Sequence, residues 1–273
     1  MSKKYKSQLD HPYEIFPDDK RFFRENGFIK LKNVLSHDLL VYYGAEIRKK
    51  VTELNTMHLP LEERDTYHKA FLQIANLWKK SKIIKDFIFG KRLAQIATDL
   101  LGTTGVRLYH DQALFKESNG GLTPWHADQY YWPLASEKCC TAWIPLQKTP
   151  LEMGPISFAA KSHHFTSGRE LAISDESEVI LHDALKKAQF KYASESFDLG
   201  EVSFHYGWTF HNAGPNTTNK AREAMTVIYM DEHMRLKNPD NESQEIDRQV
   251  WCPGVKIGDI ISTDLNPLIY SRV

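Results

Sequence analysis

The stretch VRLYHDQALF, residues 106–115, marks the point at which the hydrophobic pattern of the chain changes its period. Before it, apolar side chains recur at helical spacing, as in the segment 36–56, which opens on a serine suited to cap a helix. After it, short β-like runs are separated by Gly, Pro and Asn turns. This order predicts an α+β protein, with a barrel or two-sheet jelly roll following the helices.

The predicted elements follow from these two periodicities. Helices are predicted over residues 18–25, 36–56, 81–89 and 91–101, with a helical patch near 182–189. Strands are predicted over 28–31, 106–115, 141–146, 156–159, 202–210 and 223–230. We find no repeat, low-complexity tract or linker, so we predict one domain over residues 1–273. Residues 1–104 would form mainly helical support and 105–273 the β core, with an excursion at about 166–197 across the barrel mouth.

The charge balance and the cysteines limit the class of protein. The chain carries 35 basic and 35 acidic residues, which argues against binding nucleic acid or a membrane surface through a basic face. No window approaches 18 apolar residues, so we expect no membrane span. The three cysteines form no CxxC pair, which argues against a disulfide framework or a thiolate zinc site. The opening residues resemble neither a signal nor a transit peptide, and we expect a cytoplasmic location.

The segment TPWHADQYYW, residues 123–132, carries the first candidate metal ligands. His126 and Asp128 are two positions apart, and on a strand such residues point to the same face and can meet one ion. The tripeptide alone is weak evidence, because the chain contains twelve histidines. The alternative is that His126 caps a turn and Asp128 bonds the backbone.

The second candidate segment is FHNAGPNTTNKAR, residues 210–222. Its Gly-Pro-Asn turn predicts a hairpin that places His211 opposite Arg222. A guanidinium cannot lose its proton to bind a metal, but its fork suits a carboxylate that also reaches the metal. The alternative is a structural arginine that pairs with Glu223 or Glu201.

Two imidazoles and one carboxylate, from His126, Asp128 and His211, form the ligand set of non-haem Fe(II) oxygenases. The same set suits catalytic zinc. The arginine eleven residues after the last histidine favours a 2-oxoglutarate enzyme, because such an enzyme must hold the distal carboxylate of its co-substrate.

In this order, the motifs resemble the phytanoyl-CoA dioxygenase family of Fe(II)- and 2-oxoglutarate-dependent oxygenases. The matching pieces are FFRENGFI (22–29), LYHDQALFK (108–116), WHAD (125–128), TAWIPL (141–146) with GPI (154–156), SH (162–163), GEVSFH (200–205) and the His211-to-Arg222 spacing. The likeness covers nearly the whole chain. It implies a double-stranded β-helix, which is a cupin-like jelly roll, buttressed by the N-terminal helices.

The resemblance also implies roles for individual residues. The iron ligands would be His126, Asp128 and His211, and Arg222 would pair with the distal carboxylate of 2-oxoglutarate. Further residues expected to line the co-substrate pocket are Gln112, Trp143 and Gln73. The family pattern has a histidine at the position of His205 that does not bind iron. Strand alternation would direct Tyr130 and Trp132 toward the substrate.

One position departs from the family pattern. Relatives carry a hydroxyl residue two positions after the distal histidine, where this chain has Ala213. Thr141 or Thr226 would have to replace that hydroxyl. The carboxylate of Asp128 is retained, whereas halogenating relatives have a small residue there, so the resemblance implies a hydroxylase or a related oxidase.

These observations predict a dioxygenase that uses Fe(II) as its cofactor, consumes 2-oxoglutarate and dioxygen, and releases succinate and carbon dioxide, with ascorbate as the reductant in vitro. Its partner would be a small organic molecule, with neither nucleic acid nor a membrane as partner. Two alternatives remain open: a non-catalytic barrel that binds a small ligand, and a zinc-dependent hydrolase on a cupin-like barrel. The sequence shows no basic patch suited to the phosphates of coenzyme A, and neither the substrate nor the oligomeric state follows from it.

Overall fold

The computed structural model describes residues 2–272, so residues 1 and 273 of the predicted domain lie outside it. The helices are α1 Ser2–Asp10, α2 Pro17–Asn26, α3 His37–Leu54, α4 Thr66–Ala70, α5 Lys82–Ile88, α6 Lys91–Leu101, α7 Asp175–Lys187 and α8 Glu242–Trp251. The strands are β1 Phe28–Leu31, β2 Leu72–Ala75, β3 Gly105–Lys116, β4 Thr123–His126, β5 Cys139–Pro145, β6 Ile156–Ala159, β7 Tyr192–Ser194, β8 Val202–Tyr206, β9 His211–Ala213, β10 Arg222–Asp231 and β11 Leu268–Ser271. Short 3-10 turns occupy Leu61–Glu63, Leu77–Lys79, Asp128–Tyr130, Leu151–Met153 and Ser162–His164.

The strands form two antiparallel sheets that enclose a cavity. The larger sheet has the order β1-β8-β5-β10-β3-β11, and β2 also pairs with β3. The smaller sheet has the order β4-β9-β6-β7. Helices followed by two facing antiparallel sheets confirm the predicted α+β jelly roll.

Alternation along β5 shows how the larger sheet separates two environments. Cys140, Ala142 and Ile144 are fully buried in the main hydrophobic core with the N-terminal helices. Thr141 and Trp143, which alternate with these three residues along the strand, line the cavity between the sheets. Because strand side chains alternate between faces, one strand supplies both the core and the wall of the site.

The N-terminal helices bury their apolar faces against the outer side of the larger sheet. The hydroxyl of Ser36 caps α3 by accepting from the backbone N–H of Leu39 at 3.4 Å. Buried residues on α3 include Leu39, Leu40, Tyr43, Ile47 and Val51. Each large apolar side chain buried in this way contributes about 1.5–3 kcal/mol, so these helices stabilise the sheet.

A β-bulge at Tyr109 changes the direction of side chains on β3. Its neighbours Leu108 and His110 pair with the consecutive residues Tyr229 and Ile228 of β10. Leu108 therefore packs with the helices, whereas Tyr109 and His110 both lie on the inner side of the sheet. The bulge brings two polar-tipped rings to the cavity side.

The predicted strand over residues 202–210 is wrong in its second half. Strand β8 ends at Tyr206, the chain turns at Gly207, and β9 begins at His211 in the other sheet. A Cβ on Gly207 would lie 2.9 Å from the Gln129 side chain and 3.0 Å from the sulfur of Cys139. The tight turn between the sheets therefore needs glycine at this position.

The predicted hairpin between His211 and Arg222 is also wrong. His211 pairs with His126 and Phe158 in the smaller sheet, whereas Arg222 pairs with Lys116 in the larger one. The loop between them crosses from one sheet to the other and is held by the buried side chain of Asn216. Both residues still reach the same cavity, but from opposite walls.

The excursion after β6 lies against the smaller sheet. Helix α7 packs Leu181 and Leu185 against Trp125 and Phe210. Its Glu178 accepts a hydrogen bond from the backbone N–H of Trp125 at 2.7 Å. No helix in the described part of the chain combines the length and apolar character needed to cross a bilayer.

Candidate metal and co-substrate site

The cavity between the sheets has a volume of about 340 Å³, which is in the usual range for small-molecule sites. Its walls come from β3, β5 and β10 on one side and from β4, β6 and β9 on the other. The segment 67–75 and helix α8 close further parts of it. Every residue named below as lining the cavity belongs to this one space.

Three of the predicted residues meet at one point of the cavity. His126 ends β4, His211 begins β9, and the pairing of these strands places their rings 4.2 Å apart between centroids. Asp128 lies in the 3-10 turn after β4, with Oδ1 3.7 Å from His126 Nε2 and 3.6 Å from His211 Nε2. One ligand atom from each of the three lies within 4.8 Å of the others.

The backbone fixes which ring nitrogen faces this point. His126 Nδ1 donates to the carbonyl of Pro124 at 2.7 Å, and His211 Nδ1 donates to the carbonyl of Thr209 at 2.9 Å. A carbonyl can only accept, so each Nδ1 carries the proton and each Nε2 presents a lone pair. This is the orientation that second-shell carbonyls impose on metal-binding histidines.

The carboxylate of Asp128 is oriented by two donors on its other oxygen. Oδ2 accepts from the hydroxyl of Thr141 at 2.8 Å and from Nε2 of His205 at 3.2 Å. Oδ1 is thereby left toward the two histidines. His205 thus supports the carboxylate rather than joining the ligand set, in line with the prediction for this histidine.

Burial and charge set the protonation of the three groups. Burial lowers the pKa of His126 and of His211 to about 4, so both rings are neutral at neutral pH. Burial alone would raise the pKa of Asp128, but His211 and the hydrogen bond from His205 hold it well below its usual range. Two neutral imidazoles beside one carboxylate form the protonation state that a divalent metal needs.

Arg222 lines another wall of the same cavity, and its guanidinium has no acidic partner among the described residues. Its side chain is 2% exposed, its guanidinium lies 5.5 Å from the Trp143 ring centroid, and its Nε has no hydrogen-bond partner among the described residues. Glu223 pairs with Arg48 at 2.6 Å and Glu201 lies 3.7 Å from Lys30. The alternative of a structural ion pair with either glutamate is therefore wrong.

Lys116 and Thr123 complete this polar end. Lys116 Nζ donates to the carbonyl of Gly121 and, at 3.2 Å, to the hydroxyl of Thr123. Burial and then the neighbouring Arg222 lower the pKa of Lys116 to about 6. Arg222 remains charged, since burial lowers its pKa only to about 10. At neutral pH this end holds one charged guanidinium beside a neutral amine.

Neither of the two threonines predicted to replace the hydroxyl missing at Ala213 has a free hydroxyl proton. Thr141 donates to Asp128, and Thr226 donates to the backbone carbonyl of Gln112 at 3.2 Å. Thr123 lies directly opposite Ala213 in the pairing of β4 with β9 and also lines the cavity. Its hydroxyl accepts from Lys116 and donates to no group among residues 2–272, so its proton is available to a ligand.

The other expected pocket residues also line the cavity. Trp143 is buried between Arg222 and the ring of Phe197. Gln73 Nε2 donates to Gln112 Oε1 at 2.7 Å, and the hydroxyl of Tyr67 donates to Gln73 Oε1 at 2.5 Å. These bonds join β2 to β3 and fix the amides along one wall.

The aromatic residues after Asp128 are placed by a 3-10 turn and not by a strand. Trp132 lines the cavity as expected, but Tyr131 lines it in place of Tyr130. The carbonyl of Tyr130 instead accepts from Gln244 of α8 at 2.9 Å. Alternation with period two fails here, because a turn of three residues per repeat directs different side chains inward.

The chain is similar to known proteins in its sequence. The sequence model of the phytanoyl-CoA dioxygenase family (PhyH) matches residues 23–224. A probable alpha-ketoglutarate-dependent hypophosphite dioxygenase of Stutzerimonas stutzeri is 19% identical over 240 residues, covering 79% of this chain and 78% of the relative.

Two solved structures are similar in fold. The non-haem alpha-ketoglutarate-dependent carbocyclase SnoK from nogalamycin biosynthesis has a TM-score of 0.77 at 24% identity and covers 95% of this chain and 100% of its own. The epimerase SnoN, in complex with Fe3+, alpha-ketoglutarate and nogalamycin RO, has a TM-score of 0.76 at 21% identity and covers 92% of this chain and 97% of its own.

A jelly roll with two histidines and one carboxylate beside an unpaired buried arginine defines an Fe(II)- and 2-oxoglutarate-dependent dioxygenase. The chain belongs to the phytanoyl-CoA dioxygenase family.

Proposed function

We propose that this chain hydroxylates a small organic molecule, using Fe(II) held by His126, Asp128 and His211 and 2-oxoglutarate held by Arg222. One observation carries the proposal. A buried charged guanidinium without an anion among the described residues lines the same cavity as three convergent metal-ligand atoms. A dicarboxylate that spans the two satisfies both, because a buried charge is costly until it is paired.

The donor set suits iron. Two imidazole nitrogens and one carboxylate oxygen would hold Fe(II) and leave it open to further ligands. When bound, Fe(II) would supply the oxidising chemistry for inserting oxygen into a carbon–hydrogen bond, and 2-oxoglutarate would be converted to succinate and carbon dioxide. The chain's share is to hold the ligand atoms in place through Pro124, Thr209 and His205.

The far end of the cavity is built for a carboxylate. Arg222 supplies the charge and Thr123 supplies a free hydroxyl proton. Thr123 faces Ala213, so its hydroxyl would replace the one that relatives carry at position 213. Valine at Thr123 keeps the shape and removes the donor. Thr123→Val should therefore raise the dissociation constant for 2-oxoglutarate about tenfold and leave metal affinity unchanged.

Asp128 favours oxygen insertion over halogenation. A halide would need the position that the carboxylate occupies, and Asp128 is fixed there by Thr141 and His205. The similar structures include a carbocyclase and an epimerase, so the fold hosts other oxidative outcomes. A product that gains the mass of one oxygen in chloride buffer would support hydroxylation, whereas a chlorinated product or one lacking two hydrogens would contradict it.

Succinate formation tests the activity itself. Purified protein with Fe(II), ascorbate, oxygen and 2-oxoglutarate should release succinate even without substrate, and His126→Ala should abolish it. His164→Ala, which changes an exposed histidine, is the matched control and should keep the activity. Absence of succinate from a protein that binds 2-oxoglutarate would favour the non-catalytic barrel. Hydrolysis of an ester or amide probe by the zinc-loaded protein, without succinate formation by the iron-loaded protein, would favour the hydrolase.

A further inference from the structure

The cavity continues from the metal point to helix α8, where it meets a carboxylate surrounded by aromatic rings. We propose that this end binds a substituted ammonium group, so that the substrate is an organic cation. The inference rests on the proposed function in taking this end of the cavity as the substrate pocket.

Asp247 is the charge at this end. It lines the cavity, and its Oδ2 accepts from the hydroxyl of Tyr109 at 3.1 Å. Among residues 2–272, no lysine, arginine or histidine lies within ion-pair distance of it. Burial raises its pKa to about 7, because the ionised form has lost hydration without gaining a counter-charge. A bound cation would supply that counter-charge.

Aromatic rings form the rest of this end. Trp251 follows Asp247 by four residues on α8, so both side chains share one helix face. The Trp251 ring stacks on His110 at 4.8 Å, and Trp132 meets the same imidazole edge-on at 6.4 Å. Tyr131 also lines this space. Faces of such rings attract alkylated ammonium groups, which carry their charge over an apolar surface.

The imidazole inside this set does not oppose a cation. Gln112 Nε2 donates to His110 Nδ1 at 3.2 Å, so His110 accepts a hydrogen bond as a neutral ring. Burial lowers the pKa of His110 to about 4, which keeps the ring uncharged at neutral pH. Asp247 therefore acts on a ligand without a competing positive charge from this wall.

The carboxylate is held in place before any ligand arrives. Asn241 caps α8 by accepting from the backbone N–H of Gln244 at 2.9 Å. The side chains of both residues donate to the carbonyl of Tyr130, two positions after the metal-site carboxylate. Helix α8 is thus fixed to the turn that carries Asp128, which sets the spacing between the ammonium end and the metal point.

The two ends of the cavity carry unpaired side chains of opposite charge. Arg222 lacks an anion and Asp247 lacks a cation among the described residues. A dicarboxylate at the first and an ammonium at the second neutralise both. A single carboxylate with aromatic neighbours suits an organic cation better than a metal ion, which needs several oxygen or nitrogen ligands.

The test compares two probes that differ in charge alone. Choline carries a trimethylammonium group, and 3,3-dimethyl-1-butanol carries a neutral tert-butyl group of the same shape. Both are titrated by calorimetry into protein with Mn(II) under anaerobic conditions, and the binding of 2-oxoglutarate to the same protein is measured separately. The variants are Asp247→Asn, whose amide oxygen can still accept from Tyr109, and Glu242→Gln, which removes an exposed charge from the same helix.

We expect choline to bind wild type and Glu242→Gln at least about tenfold more tightly than the alcohol, and Asp247→Asn to lose this preference. Equal binding of the two probes, no binding of choline, or an unchanged preference in Asp247→Asn would overturn the inference. If 2-oxoglutarate binds in those cases, the proposed function stands without it. If choline shows the preference but 2-oxoglutarate does not bind, the cation site stands and the proposed function fails.

Discussion

Arg222 shows how a single residue can report a missing ligand. A guanidinium that is 2% exposed has lost its hydration, and none of the described residues offers a carboxylate to compensate for that loss. Such a burial costs several kcal/mol in the free protein. The cation–π contact with Trp143, at 5.5 Å from the ring centroid, recovers a part of it. The site is organised for an anion before the anion binds.

Replacing Arg222 by glutamine should separate the two ligands. We expect the dissociation constant for 2-oxoglutarate to rise about 100-fold or more, because the distal carboxylate loses its charged partner. The affinity for Mn(II) should stay unchanged, since Arg222 is not among the three ligand atoms. Equilibrium dialysis measures both constants. Arg21→Gln, on the exposed surface, is the control, and equal 2-oxoglutarate affinity in the two variants would contradict this role.

Lys116 should change its protonation when the co-substrate binds. Its pKa of about 6 keeps the amine neutral at pH 7, and a dicarboxylate beside Arg222 favours the charged form and raises that pKa. We expect binding of 2-oxoglutarate at pH 7 to take up a large part of one proton. Calorimetry in buffers of different ionisation enthalpy measures it. The uptake should disappear in Lys116→Met, and heats that do not depend on the buffer in wild type would rule it out.

Spacing along the sequence predicted the three candidate ligands and the arginine, because those residues lie in short motifs of fixed order. It did not predict Thr123 as the hydroxyl opposite Ala213. That role depends on the pairing of two strands 90 residues apart in the chain, and no local pattern reports such a pairing. The prediction for Tyr130 rested on a strand that the 3-10 turn replaces.

The segment between β8 and β10 shows why elements that follow one another need not pair. Turn residues at 214–216 correctly indicated a loop, and the simplest partner for a strand is the next strand in the chain. In the folded protein the loop instead crosses between the sheets. Gly154 approaches it so closely that a Cβ there would lie 2.0 Å from the carbonyl oxygen of Gly214. Long-range packing therefore decides the connection.

Asn216 should be the residue that stabilises this crossing. Its buried side-chain amide donates to the carbonyls of Lys116, Glu117 and Lys220. Asn216→Ala leaves these acceptors without their donor and should lower the free energy of unfolding by about 2–3 kcal/mol. Urea unfolding measures the change. The exposed Asn219→Ala is the control, and equal stability of the two variants would show that the loop needs no such clamp.

Helix α8 was not predicted, although it forms one end of the cavity. Its apolar residues are few, and Gln244 is its only buried side chain among those described. The helix is held by a cap and by polar bonds to the turn after β4, which leave no hydrophobic stripe in the sequence. Elements fixed by polar contacts are harder to recognise than those fixed by an apolar face.

The molecule as a whole has one main hydrophobic core shared by the N-terminal helices and the larger sheet. Ile47 of α3 and Ile96 of α6 belong to the same buried cluster as Val227 of β10. We therefore propose that residues 1–273 form a single domain, in which the helical part and the β part depend on each other.

Unfolding should consequently be one cooperative transition. In urea, the loss of far-ultraviolet circular dichroism, which follows the helices, should coincide with the change in tryptophan fluorescence. Trp125, Trp132 and Trp143 report on the β part. A helical signal that disappears at a lower urea concentration than the fluorescence would show two independent units.

The measurement that tests the account most directly is an anaerobic calorimetric titration of 2-oxoglutarate into the protein, with and without Fe(II). The geometry predicts one molecule bound per chain, with an affinity at least about tenfold higher when the metal is present, because the cavity joins the three ligand atoms to Arg222. Binding that is absent, or that is unaffected by both Fe(II) and the His126→Ala change, would contradict it.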